Sequence, residues 1–269
     1  MKFNSKIIIF SDLDGSLLNR DTFKFDTIKN FLKKLISNEI FIIPNSSKTE
    51  SEILNFNKEL GEKLPFIAEN GSAIHDLNLI NSNFPEKISL SREIKEILHV
   101  FNNKIDNELK SKCNFVEKLS QKKQSEILGL PIEKLKDALN RNYSVPFVFE
   151  GEKKLKDKLF KTVEKTGLTL QEGGRVINLC DKVSKSQAMK NVIKVFKKIN
   201  KDNLITIGVG DNYNDLGMLR NSDFPCLVFN DKFTLDKISI NNCFVSKKVA
   251  PEGWEEVVKM ALDKIKQTD

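Results

Sequence analysis

The chain is expected to be an α/β protein with a parallel-sheet core interrupted by an α+β insert. Three observations predict this. Strand-like and helix-like stretches alternate through the first 70 residues, and the alternation resumes at about residue 184. Between them lies a segment in which helices are mixed with short, closely spaced strands, as in an antiparallel sheet.

Residues 6–11, "KIIIFS", form a short apolar run of the kind buried on both faces of a parallel sheet. "FDTIKNFLKKLIS" places Phe25, Ile28, Phe31, Leu32 and Leu35 at helical spacing. "IFIIP" predicts a second strand, "TESEILNFNKELG" a helix capped by Thr49 or Ser51 and stopped at Gly61, and "PFIAEN" a third strand. Strand, helix, strand, helix, strand implies βαβ units. The insert carries helical patterns in "SREIKEILHVFNNKI", "PIEKLKDALN" and "EKKLKDKLFKTVEK", and strand patterns in "PFVFE", "LTLQE" and "RVINLC". The core pattern returns with the helix "SKSQAMKNVIKVFKKI", the strand "NLITIGVG" running into "DNYNDLGML", the strand "FPCLVF" and a last helix, "GWEEVVKMALDKI". The expected boundaries are a core over 1–83, an insert over 84–181 and the rest of the core over 182–269.

Composition narrows the function classes. Of 269 residues, 44 are Lys or Arg and 37 Asp or Glu, giving a net charge of +7. The lysines are scattered along amphipathic helices, which predicts solvated faces rather than a nucleic-acid surface. Acids gathered at strand ends would also repel a phosphate backbone. Cys113, Cys180, Cys226 and Cys243 have no CxxC spacing, so zinc is not expected and reduced thiols in the cytoplasm are. No apolar run is long enough for a signal peptide or a membrane span.

The chemistry is concentrated where the strands end. Asp12 and Asp14 follow the first strand, Ser46 and Ser47 the second, and Asp211, Asn214 and Asp215 the "ITIGVG" strand. In an open parallel sheet these ends form one crevice, so clusters far apart in sequence converge. Like charges held together there need a cation, and oxygen ligands without His or Cys point to Mg²⁺. A calcium-hand loop fails, because Leu17 stands where its glycine belongs and Phe23 where its glutamate belongs. No nucleotide P-loop motif occurs.

"DLDGS" after an apolar strand, a Ser after the next, a Lys opening a later helix and "GDNYND" after a later strand resemble the haloacid dehalogenase-like phosphatases. The resemblance covers nearly the whole chain. It implies a Rossmann-like core with an inserted α+β cap domain. It also implies that Asp12 is the nucleophile forming an aspartyl-phosphate, and that Asp14 protonates the leaving alkoxide and then activates water. Ser46 would donate to the phosphoryl group, although it or Ser47 could simply cap the following helix. Lys185 would neutralise the phosphate and the nucleophile. Mg²⁺ would be held by Asp12, Asp14, Asp211 and Asp215, with Asn214 orienting either of the last two.

An insert of this size between Ser46 and Lys185 resembles the large α/β cap of the sugar phosphatases and phosphomannomutases. "SSKTESEI", "ENGSAI", "RNYSVPF", "GGRVINL" and "VAPEGWEEVV" are similar to the mannosyl-3-phosphoglycerate phosphatases. That resemblance implies a small phosphorylated glycosyl glycerate as substrate. It assigns Ser47, Lys48, Glu69, Asn70, Arg175 and Asn214 to substrate binding. Arg175 suits a carboxylate because its fork binds with two parallel bonds and the glycines before it allow close approach. "ENG" could equally be a turn. Val145 stands where that family often has an acidic residue, which keeps the glucosyl ester open beside the mannosyl one. A phosphohexomutase and a sucrose or trehalose phosphatase are the rival enzymes of the same fold.

Overall fold

The computed structural model describes residues 3–173, 175–199, 203–231 and 240–268. It divides into two compact units. The first comprises Met1–Ser47, Phe56–Ile88 and Ser184–Asp269, and the second Lys48–Asn55 and Ser89–Val183.

The first unit opens with strand β1 (Lys6–Ser11), helix α1 (Lys29–Ser37) and strand β2 (Phe41–Pro44). Helix α2 (Glu50–Leu60) leads to the short strands β3 (Phe66–Ala68), β4 (Ala73–His75) and β5 (Lys87–Ser89). The second unit contributes α3 (Ile94–Lys104), α4 (Asn107–Lys110), β6 (Cys113–Phe115), α5 (Gln121–Leu128), α6 (Ile132–Leu139), β7 (Ser144–Phe149), α7 (Lys153–Glu164), β8 (Leu168–Glu172) and β9 (Ile177–Asp181). The chain returns to the first unit with α8 (Lys185–Ile199), β10 (Leu204–Gly210), α9 (Leu216–Arg220), β11 (Phe224–Leu227), β12 (Phe244–Val245) and α10 (Glu252–Thr268).

The core sheet runs β12-β11-β10-β1-β2, and every pairing in it is parallel. Strand β1 carries the continuous apolar run Ile7–Phe10, all buried, as expected of a strand covered on both faces. Adjacent residues of β11 show the two sides: Cys226 Sγ reaches the Val257 carbonyl of α10, whereas Leu227 packs with Leu219 of α9. Phe31 of α1 meets Trp254 of α10 edge-on at 6.2 Å between centroids, so α1 joins α10.

One expectation is refined here. "PFIAEN" does form a strand, but β3 lies outside the core sheet and pairs antiparallel with β4 in a separate sheet ordered β3-β4-β5. A single parallel bridge, Asn45 with Ile67, links it to the end of β2. The cause is local. Glu69, Asn70 and Gly71 all take positive φ, which folds the chain back before β3 lengthens.

In the second unit the sheet runs β6-β7-β9-β8, antiparallel throughout. Val145, Phe147, Leu168, Leu170, Ile177 and Leu179 pack one face against α3 and α7. By strand alternation Ser144, Gln171 and Asn178 belong to the other face. Of the two expected caps for α2, Thr49 is the one used: Glu52 N–H donates to Thr49 Oγ1, and Thr49 N–H donates to Glu52 Oε2. Residues 48–55 group with this unit through hydrogen bonds from Thr49 to the Asp137 carbonyl, Asn55 to the Asp137 carboxylate and Asn140 to Ser51. No helix among the described residues is long and apolar enough to cross a membrane.

Candidate active site

The chain order places a crevice at the carboxyl end of β1. From β1 the chain moves to β2 on one side and later enters β10 on the other, so the strand order reverses there. Asp12 follows β1 directly, its N–H donating to the Val209 carbonyl of β10 at 2.9 Å. The turn beyond it is anchored by Leu13, Leu17 and Leu18, all buried, and closed by Leu18 N–H on the Leu13 carbonyl at 2.8 Å. Gly15 takes a φ of +85°, and a Cβ there would lie 2.7 Å from Asp211 Oδ2. Only glycine lets this turn pass so close to the carboxylate.

Lys185, the first residue of α8, is 2% exposed. Its Nζ donates to Asp12 Oδ1 at 2.5 Å and to Asp215 Oδ1 at 2.7 Å. Burial alone would push this ammonium down, but the two carboxylates outweigh it and hold it above the ordinary lysine range. The helix start is itself tied down, since Asn45 Nδ2, at the end of β2, donates to the Lys185 carbonyl at 3.0 Å. Ser46 beside it is fully buried.

Asp215 is fixed from two directions. Its Oδ2 accepts from the Asp211 and Asn212 N–H groups at 3.1 Å each, and its Oδ1 from Lys185. Asp211 accepts from Ser16 Oγ on Oδ1 at 3.1 Å, and from Asn230 Nδ2 on Oδ2 at 2.9 Å; the Arg20 guanidinium also donates to Oδ2. Asp12, Asp211 and Asp215 bring ligand atoms within 4.8 Å of one another, all three buried. Burial lifts Asp211 above the ordinary carboxylate range, and the Asp12 and Asp215 charges lift it further against Arg20 and Ser16. Burial likewise lifts Asp215, with Lys185 opposing and Asp12 adding to the rise. Three crowded carboxylates face two cations, so the cluster is short of positive charge. Oxygen-only donors in that condition fit a hard divalent ion.

The remaining expected residues fall as follows. Asp14 is half-buried in the same turn, bridged to Leu18, and its carboxylate is not one of the close trio. Glu69 is buried and Asn70 N–H donates to the Ser46 carbonyl at 2.8 Å, so the "ENG" stretch is a turn packed against the Ser46 loop. Ser47 is half-buried and Asn214 exposed. Lys48, in the second unit, pairs with Glu52 at 3.2 Å. Arg175, also in the second unit, is exposed and donates to the Leu128 carbonyl; Gly174 lies outside the described residues. Arg20, Asn45 and Asn230 were not anticipated. Nothing in their spacing marks them, whereas Ser16 sits within the "DLDGS" motif and was within reach of sequence reasoning.

Comparison with known proteins gives the family and its relatives. Residues 9–242 match the haloacid dehalogenase-like hydrolase family model. A protein of Persephonella marina named glucosyl-3-phosphoglycerate/mannosyl-3-phosphoglycerate phosphatase is 30% identical, over 97% of this chain and 99% of its own length. One of the same name from Methanococcoides burtonii is 28% identical, over 94% and 96%. Among solved structures, the phosphatase BT1666 from Bacteroides thetaiotaomicron superposes with a TM-score of 0.66 at 15% identity, over 97% of this chain and 96% of that one.

Proposed function

Since the chain belongs to the haloacid dehalogenase-like hydrolases and is a phosphoric monoester hydrolase, we propose that it removes phosphate from a glycosyl-3-phosphoglycerate with the help of Mg²⁺. The observation that carries the mechanism is the buried Lys185 ammonium clamped between Asp12 and Asp215. It supplies the buried Asp12 carboxylate with a countercharge and fixes its direction.

One Asp12 oxygen attacks phosphorus in line with the ester oxygen. The new Asp12–phosphorus bond forms as the phosphorus–alkoxide bond breaks, and the Asp14 carboxyl gives its proton to the departing alkoxide. Water then attacks the same phosphorus, Asp14 takes its proton, and phosphate leaves as the bond to Asp12 breaks. Ser46 donates a hydrogen bond to the phosphoryl group. Asp12, Asp211 and Asp215 are the residues that would hold the cation, with Asp14 beside them. Bound there, Mg²⁺ would draw charge from the phosphoryl oxygens and screen them from the nucleophile.

For the substrate we propose mannosyl-3-phosphoglycerate, with the glucosyl ester as a second substrate; the relatives carry both names. Ser47, Lys48, Glu69, Asn70, Arg175 and Asn214 are the proposed substrate-binding residues. Four cysteines that form no disulfide, three of them buried, support a reducing, cytoplasmic setting.

The test is phosphate release over a panel of the mannosyl and glucosyl esters, sucrose phosphate, trehalose phosphate and hexose phosphates, with Mg²⁺ or with chelator. Turnover of the two glycerate esters far above the rest is expected. Preference for a sugar phosphate lacking the glycerate, or full activity in chelator, would overturn the respective part of the reading.

A further inference from the structure

Among the described residues Arg20 is the one cationic side chain hydrogen-bonded to Asp211, and the proposed chemistry does not use it. Its guanidinium donates to Asp211 Oδ2, and the two side chains differ sharply in exposure, 39% for Arg20 against 1% for Asp211. The backbone that delivers Arg20 is not loose. Asn19 Oδ1 accepts from the Asp21 N–H at 3.1 Å, the Thr22 N–H at 3.0 Å and Thr22 Oγ1 at 3.1 Å, while Asn19 Nδ2 donates to the Ala250 carbonyl at 3.3 Å. The side chain then crosses the open face of Gly15, where a Cβ would stand 2.9 Å from Nη2 and 3.1 Å from Nε. The turn therefore both fixes the root of Arg20 and leaves a path for its head to reach the acid cluster.

We propose that Arg20 is a resident countercharge that occupies Asp211 in the absence of the divalent ion and is displaced when the ion binds. This rests on the reading of Asp12, Asp211 and Asp215 as the cation ligands. A metal needs a lone pair that Asp211 currently shares among three donors. Ser16 is fully buried, and Asn230 also donates to the Asp211 carbonyl at 3.2 Å, so neither is readily released. Arg20 approaches from the solvent side, and its head regains water when it withdraws. The exchange swaps one positive charge for two in a cluster short of positive charge.

The experiment compares the wild-type chain with Arg20→Gln. Mg²⁺ alone is titrated calorimetrically at fixed ionic strength, and thermal midpoints are recorded in chelator and in saturating Mg²⁺. Removing the competitor is expected to tighten Mg²⁺ binding about tenfold, since a charge held against a buried carboxylate is weakly screened even with its own head partly exposed. In chelator the variant melts below wild type, and saturating Mg²⁺ closes that gap. Arg20→Lys keeps the charge without the fork and falls between the two. Should Arg20→Gln fail to fold in chelator, Arg20→Lys carries the test with the same sign. If wild type binds and the variant binds equally or more weakly, Arg20 is not a competitor and the inference is overturned alone. If neither chain binds Mg²⁺ saturably, the metal reading falls and takes the inference with it.

Discussion

The indole Nε1 of Trp254 donates to Ser11 Oγ at 2.8 Å, and that hydroxyl in turn donates to the Asp12 carbonyl at 2.6 Å. Trp254 and Ser11 are fully buried. A relay of two hydrogen bonds thus runs from the last helix through the sheet to the backbone of the proposed nucleophile. Trp254→Phe keeps an aromatic ring but removes the donor, leaving a buried hydroxyl short of a partner. Chemical denaturation is expected to show a loss of about 1–3 kcal/mol. Turnover at saturating substrate should change by less than roughly tenfold, because no group touching phosphorus is altered.

Lys185→Met tests the clamp. Two buried carboxylates lose their shared countercharge, and breaking a buried pair from one side costs about 3–5 kcal/mol. Phosphate release should vanish with it. Adding Asp215→Asn to the Met variant should restore part of the stability but none of the activity, and a double-mutant cycle reads the coupling.

The raised Asp211 and Asp215 carboxyls predict a pH dependence with a definite sign. Burial and the neighbouring carboxylates make the folded, metal-free protein hold these protons more tightly than the unfolded chain. Their stabilising contribution is complete below about pH 4 and is lost as pH climbs through the raised values towards neutrality. Mg²⁺ competes with the same protons. The difference in melting midpoint between Mg²⁺ and chelator should therefore grow as pH rises from about 5 to 8. A difference that shrinks over that range would contradict the assignment.

Gly71 offers a backbone test that alters no charge. Its φ is +100°, and a Cβ would press on the Ser184 carbonyl, one residue before Lys185. Backbone cannot yield as a flexible side chain can. Gly71→Ala is expected to lose more than about 1 kcal/mol, and to lower turnover as the start of α8 moves off Asp12. Thermal midpoint and steady-state rates on the same preparation check both.

Asp12 and Asp211 were legible in the sequence because each directly follows a strand of the core sheet, Asp215 because it lies one turn beyond Asp211, and Lys185 because it opens a helix. A strand end and a helix start are local facts, and the parallel topology carries them to one place. Arg20, Asn45 and Asn230 act through contacts fixed only when distant segments meet, so no spacing announces them. The placement of β3 was illegible for a related reason. A three-residue apolar strand suits either sheet, and the decision lies in the positive φ angles of the turn after it. Arg175, a good chemical choice for a carboxylate, also donates to the Leu128 carbonyl, a contact no spacing announces.

The pairing of β1 with β10 joins Ile8 to Thr206, residues about 200 positions apart in the chain. At roughly 5–20 residues per second of synthesis, β1 waits about 10–40 s for that neighbour to leave the ribosome. Until then the run Ile7–Phe10 has only β2 beside it and presents an open, apolar, β-branched edge. Contacts of such long sequence separation also slow refolding in vitro. Residues 89–183 are complete before α8 and β10 exist, so the second unit can settle first while the proposed nucleophile, Asp12, still lacks Lys185. Enzymatic competence is then the last property this polypeptide acquires, and truncation anywhere before β10 removes it entirely.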